Sequence, residues 1–134
     1  MFLFPEQDAS IVAQSSAQSL AYVGDAIYEL YARLHCFIPL RRSREYHSAV
    51  VDYVRAESQA NALDRLTLAS QLTDPEREVV RWGRNGCRPT VRRADPDIYQ
   101  KASGLECLIG YLYLTDRLRL QYIMQEIFTA PTDP

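Results

Sequence analysis

The sequence has almost no lysine: of its 15 basic residues only Lys101 is not arginine. Cysteine, histidine and tryptophan are also scarce, at 3, 2 and 1 residues. The three cysteines, Cys36, Cys87 and Cys107, are odd in number and lack metal-ligand spacing. That pattern excludes a disulfide framework and a thiolate zinc site, and fits reduced thiols in a cytoplasmic protein. No apolar run approaches the roughly 20 residues that span a bilayer, so no membrane helix is expected. The start, Met1 to Glu6, has neither the basic region nor the long apolar segment of a signal or transit peptide. Alternating apolar and polar stretches of useful length are missing, as are internal repeats and low-complexity tracts. The two histidines, His35 and His47, stand alone and read as structural rather than as general bases.

What is present is helical periodicity along nearly the whole chain. It predicts helices over Asp8–Gln14, Ala17–Cys36, Arg44–Leu72, Pro75–Arg84, Asp97–Thr115 and Arg117–Phe128. The third is too long for one globular helix, and a break near Arg55 or Asn61 is expected. Thr73-Asp74-Pro75-Glu76 and Asp95-Pro96-Asp97 read as helix starts, each with a capping side chain and proline in the first turn. At 134 residues, with 47% hydrophobic and 24% charged residues, the chain is expected to form one all-α domain, 1–134. Its core should cover about 17–129, leaving a frayed tail at 130–134.

The net charge of −2 hides an uneven distribution. Between Arg77 and Arg93 lie six arginines and one acid, Glu78, and Arg41, Arg42 and Arg44 form a smaller cluster. Arginine presents a planar fork that matches phosphate oxygens. The stretch from Gly83 to Ala94 reads as a non-helical, glycine-containing basic loop. Loops of that length tend to be functional or disordered, and this one suits nucleic-acid phosphates; the alternative is a solvated loop balanced by acids elsewhere.

Two carboxylates stand out against this background. Asp25 sits in Leu20-Ala21-Tyr22-Val23-Gly24-Asp25-Ala26-Ile27-Tyr28-Glu29-Leu30, and Glu106 is the only charge between Lys101 and Asp116. Asp25 is expected to lie beside the core, where a charge must be paired, hydrogen-bonded or bound to a cation. Two such acids on two apolar helices suit a hard cation such as Mg²⁺, which prefers oxygen ligands. Capping of a neighbouring helix or pairing with arginine is the other account.

Three ordered blocks carry a resemblance. They are Leu20 to Glu29, the run Arg81-Trp82-Gly83-Arg84-Asn85-Gly86, and Tyr99 to Leu114 with Ser103-Gly104-Leu105-Glu106 at its centre. Together they resemble the ribonuclease III catalytic domain, and more closely its Mini-ribonuclease III branch. The resemblance implies an all-helical homodimer that hydrolyses double-stranded RNA with Mg²⁺, leaving 5′-phosphate and 3′-hydroxyl ends. It makes Asp25 and Glu106 the catalytic, metal-binding carboxylates, and assigns RNA binding to Arg81, Arg84, Asn85, Arg88, Arg92 and Arg93. The implied substrate is a 23S ribosomal RNA precursor, with a ribosomal protein as a further partner. Ala21 and Ser103 stand where full-length ribonuclease III carries two more acids, as is typical of the branch. Leu105 and Cys107 replace the more usual phenylalanine and alanine. No separate double-stranded-RNA-binding domain is expected. A competing expectation is a non-catalytic RNA-binding or ribosome-assembly module of the same fold, favoured by Ala21 and Ser103; a helical protein-interaction domain leaves the arginines unexplained.

Overall fold

A computed structural model describes residues 4–87 and 95–129. All its elements among the described residues are helices, in the order α1 (Ala9–Val12), α2 (Ala17–His35), α3 (Ser43–Val54), α4 (Ala56–Leu68), α5 (Asp74–Gly86), α6 (Pro96–Thr115) and α7 (Arg117–Thr129). The long periodic segment breaks at Arg55, whose extended backbone (φ −64°, ψ 154°) parts α3 from α4; Asn61 lies within α4.

Local chemistry fixes the helix starts. Thr73 and Glu76 form a reciprocal capping box, with bonds of 3.2 and 2.9 Å, and Pro75 occupies the first turn of α5. Asp95 caps α6 by accepting from the Asp97 amide at 2.9 Å. Glu76 has a second task. Its buried carboxylate receives Arg119 of α7 at 2.7 and 2.9 Å, while Arg119 also donates to the Gln71 carbonyl at 2.6 Å. Burial pushes the Glu76 carboxyl up, but the bonds from Arg119 and Thr73 outweigh it and hold it below its usual range. The start of α5 is thereby tied to α7.

Helix α6 is the axis of the bundle. Leu105, Cys107, Leu108 and Ile109 are all fully buried, because α2, α4 and α5 pack around this helix. A helix apolar on every side needs such surroundings. Its flanks join two cores: a larger one with Tyr28, Leu63, Ile123 and Phe128, and a smaller one with Val12, Leu20, Cys87 and Cys107.

One expectation needs correction. The stretch beginning at Gly83 does not start as a loop, since Gly83 to Gly86 complete α5. Packing explains the difference: a Cβ on Gly83 would stand 2.5 Å from Cys107 Cβ and 3.0 Å from Gly104 Cα. Glycine here serves close approach of α5 to α6, and the helix continues despite its low propensity. Cys87 follows as the buried C-cap of α5. The rest of the expected loop, with Arg88, Arg92 and Arg93, and the expected tail at 130–134 lie outside the described residues.

Candidate active site

The site is built where α2 crosses α6, and two glycines set the crossing distance. A Cβ on Gly24 would fall 1.7 Å from the Glu106 carbonyl oxygen, and one on Gly110 would fall 2.0 Å from the Leu20 carbonyl oxygen. The two backbones therefore touch, as only glycine permits. Asp25 follows Gly24, and Glu106 is the residue whose backbone Gly24 meets. The crossing thus sets the two acids side by side.

Asp25 is not buried, contrary to the expectation from its apolar neighbours; it is exposed. Gly24 takes the inward position against α6, and one residue of helical rotation carries Asp25 to the rim. From there its carboxylate is still close enough to act on that of Glu106. Glu106 itself is only partly exposed. Burial first, and then Asp25, push its carboxyl up to about 9. Like-charged neighbours in a drying environment produce that direction of shift.

Sequence reasoning missed a third member, Gln59. It lies on α4, is buried, donates to the Val54 carbonyl at 3.2 Å, and its amide favours the charged form of Glu106. A single glutamine on a mixed-charge helix carries no pattern that could have revealed it. Ala21 and Ser103, at the positions where the wider family has further acids, are both buried.

The arginines divide. Arg81 is exposed and bonds Glu78 at 2.6 Å, one turn earlier in α5. Arg84 pairs with Asp97 at 3.6 Å, and its aliphatic stem lies against Gly104, two residues before Glu106. Asn85 is exposed on the last turn of α5. The structure directs the Arg84 guanidinium to Asp97 near the start of α6 and leaves Arg81 exposed on α5; it brings neither to the carboxylate pair. Trp82 packs against the smaller core, and His35 is held among Tyr53 and Phe128, with the Tyr53 hydroxyl 3.3 Å from Nε2. Glu29 bonds Arg33 at 2.8 Å, as its i,i+4 spacing predicts.

Among the described residues, no group of three or more His, Cys, Asp or Glu side chains gathers to hold an ion. The donor set is two carboxylates. Their mutual repulsion, expressed at Glu106, is what a hard divalent cation would relieve. With two protein ligands, such an ion keeps most of its coordination shell for water or substrate oxygens, which suits Mg²⁺.

Residues 18–117 match the Ribonuclease III domain, and the chain belongs to that family of endoribonucleases. Within it, the chain is 53% identical to the Mini-ribonuclease 3 of Synechocystis over 117 residues, covering 87% of this chain and 80% of that protein. It is 47% identical to the Mini-ribonuclease 3 of Synechococcus (85% and 81% covered) and 35% identical to that of Staphylococcus aureus (83% and 85% covered). A crystal structure of a Fusobacterium nucleatum protein superposes with a TM-score of 0.74 at 23% identity, over 87% of this chain and 91% of that one; it shows the shared helical fold. No described helix is long and apolar enough to cross a membrane.

Proposed function

We propose that this endoribonuclease hydrolyses double-stranded RNA with Mg²⁺, using Asp25 and Glu106 as its metal-holding carboxylates, and matures a 23S ribosomal RNA precursor in the cytoplasm. The observation that carries the reading is the contact between these two acids across the α2–α6 crossing. When bound, the cation supplies an activated water and offsets charge at the scissile phosphate. The chain's own residues do the rest. Exposed Asp25 meets the solvent side, and partly buried Glu106 holds the inner side. Arg84, in the last turn of α5 and paired with Asp97, is proposed to exchange that partner for an RNA phosphate. The proposed products carry 5′-phosphate and 3′-hydroxyl ends.

Duplex RNA is read through shape, phosphates and 2′-hydroxyls, so modest sequence preference is expected. Arg81, Arg84 and Asn85 at the end of α5, with Arg88, Arg92 and Arg93 beyond it, supply the grip; a ribosomal protein on the same precursor is the proposed helper. The proposed assembly is a homodimer. Supporting it, α2 carries Tyr22, Ala26, Leu30 and Leu34 at four-residue spacing, all exposed, and Phe37 and Ile38 extend the stripe. Contiguous apolar surface of that kind marks a protein interface.

Incubation with a labelled 23S precursor stem, beside one of its strands alone, tests the reading. Mg²⁺-dependent cutting confined to the duplex supports it. Binding without cutting would instead establish the non-catalytic module that Ala21 and Ser103 favour. Replacing Arg84 and Arg88 together with alanine is expected to weaken RNA binding and to reduce the slope of log affinity against log salt by roughly 2. A filter-binding titration at several salt concentrations measures this; an unchanged slope means that neither arginine touches phosphate.

A further inference from the structure

The unneutralised positive charge of the described chain does not lie where arginine is densest. On α5 the guanidinium groups already have acids of their own protein: Arg77 has Asp74, Arg81 has Glu78 at 2.6 Å, and Arg84 has Asp97 at 3.6 Å. Between α2 and α3 the balance differs. Glu45 is the only acid between Glu29 and Asp52, against Arg33, Arg41, Arg42 and Arg44. Arg33 is taken by Glu29 at 2.8 Å. Arg41, Arg42 and Arg44 are exposed, and none forms an ion pair among the described residues. The turn that carries them is braced. Arg41 Nη1 donates to the Cys36 carbonyl at 2.6 Å, which closes the turn onto the end of α2. The Tyr46 hydroxyl donates to the Arg33 carbonyl at 2.5 Å, and its ring meets Phe37 edge-on, with centroids 6.1 Å apart. At Arg42, where α3 begins, no side chain caps the helix, so the positive end of its dipole adds to the three charges.

We infer that Arg41, Arg42 and Arg44 form a second contact for the backbone of duplex RNA, away from the α2–α6 crossing. The inference rests on the reading that duplex RNA is the substrate. Cys36 lies eleven residues past Asp25, so at 1.5 Å per residue the turn stands about 16 Å along α2 from that acid. That is too far to serve the phosphate being cut. These arginines therefore govern how firmly a length of duplex is held, and not the chemistry. A guanidinium fork matches phosphate oxygens, and here it can meet them without first breaking an ion pair within the protein. A duplex runs past the cut in both directions, so the substrate itself can cover this charge with no further partner. Phe37 and Ile38, just before the arginines, continue the exposed apolar stripe of α2 assigned to the dimer. A two-fold assembly then carries two such turns, one from each protomer, beside the shared face.

The test is filter binding of a long, fully paired RNA to the full chain in EDTA, where nothing is cut, at several salt concentrations. Wild type is compared with Arg42→Ala/Arg44→Ala and with Arg42→Lys/Arg44→Lys. The alanine variant is expected to bind roughly tenfold more weakly at low salt, with the slope of log affinity against log salt reduced by roughly 2. The lysine variant should recover most of that slope, because lysine keeps the charge. Wild-type affinity and slope in the alanine variant, beside normal binding by wild type, overturn the inference and leave the duplex reading intact; the turn would then face an acidic protein. Failure of wild type to bind the duplex overturns that reading and the inference with it. Should the alanine variant misfold or sediment differently from wild type, the side-chain Nε–H resonances of Arg42 and Arg44 in the wild-type protein decide. Both are expected to move when duplex RNA is added, and resonances indifferent to it contradict the inference.

Discussion

Glu106→Gln is expected to abolish RNA cleavage and, without divalent cation, to make the protein more stable. Loss of one of two metal-holding carboxylates should reduce turnover by at least roughly a thousandfold, about 4 kcal/mol of transition-state stabilisation. The gain in stability has a separate origin. Burial and Asp25 push the Glu106 carboxyl from 4.5 up to about 9 in the folded protein. A carboxyl raised on folding contributes its full share of stability below its unfolded pKa and loses it as pH rises through the folded value. Cation-free wild type should therefore weaken progressively between about pH 4.5 and 9, and the amide variant should not. At pH 8 the variant should melt higher by roughly 4 °C, corresponding to about 1 kcal/mol. Thermal scans in EDTA across that range measure the difference. Equal pH dependence in both proteins would show that Glu106 is not strained by Asp25.

Gly24→Ala carries the largest expected cost to the fold. Alanine in an ordinary helix interior gains up to about 1 kcal/mol over glycine. Here the added methyl would sit 1.7 Å from the Glu106 carbonyl oxygen and 2.9 Å from the Gly110 amide nitrogen. Both obstacles are backbone, so no side chain can yield, and α2 and α6 must separate. Overpacking in cores typically costs 1–3 kcal/mol, and a backbone collision should exceed roughly 3 kcal/mol. Urea unfolding reads that loss. Cleavage should fall further than stability predicts, because separating the helices also parts Asp25 from Glu106. Gly110→Ala, with its methyl 2.0 Å from the Leu20 carbonyl oxygen, should behave alike. Wild-type stability in either variant would contradict the close crossing.

Both predictions turn on a contact that the sequence shows only in part. Helix identity and most boundaries are legible because they depend on local chemistry: the apolar period, the Thr73–Glu76 capping box, and the Asp95-Pro96 start. Pattern alone suggests that two acids on two apolar helices suit a hard cation, with capping or arginine pairing as the other account; the three-block resemblance is what pairs Asp25 with Glu106. Where pattern reasoning fails, tertiary packing has overridden it. Gly83 and Gly86 look like loop residues, yet Gly83 is the site of contact between α5 and α6. Asp25 looks buried because its neighbours are apolar, yet Gly24 is the residue turned inward. Gln59 becomes visible only through its burial and its bond to Val54 at the end of α3.

The central claim is that Asp25 and Glu106 together hold the cation on which RNA cleavage depends. Its most direct test is single-turnover cleavage of end-labelled double-stranded RNA by wild type and Asp25→Asn, each in Mg²⁺ and in EDTA. Cutting by wild type in Mg²⁺ alone, with Asp25→Asn inactive but still binding the duplex, is the predicted result. Cleavage by wild type in EDTA, or undiminished cleavage by Asp25→Asn, would contradict it.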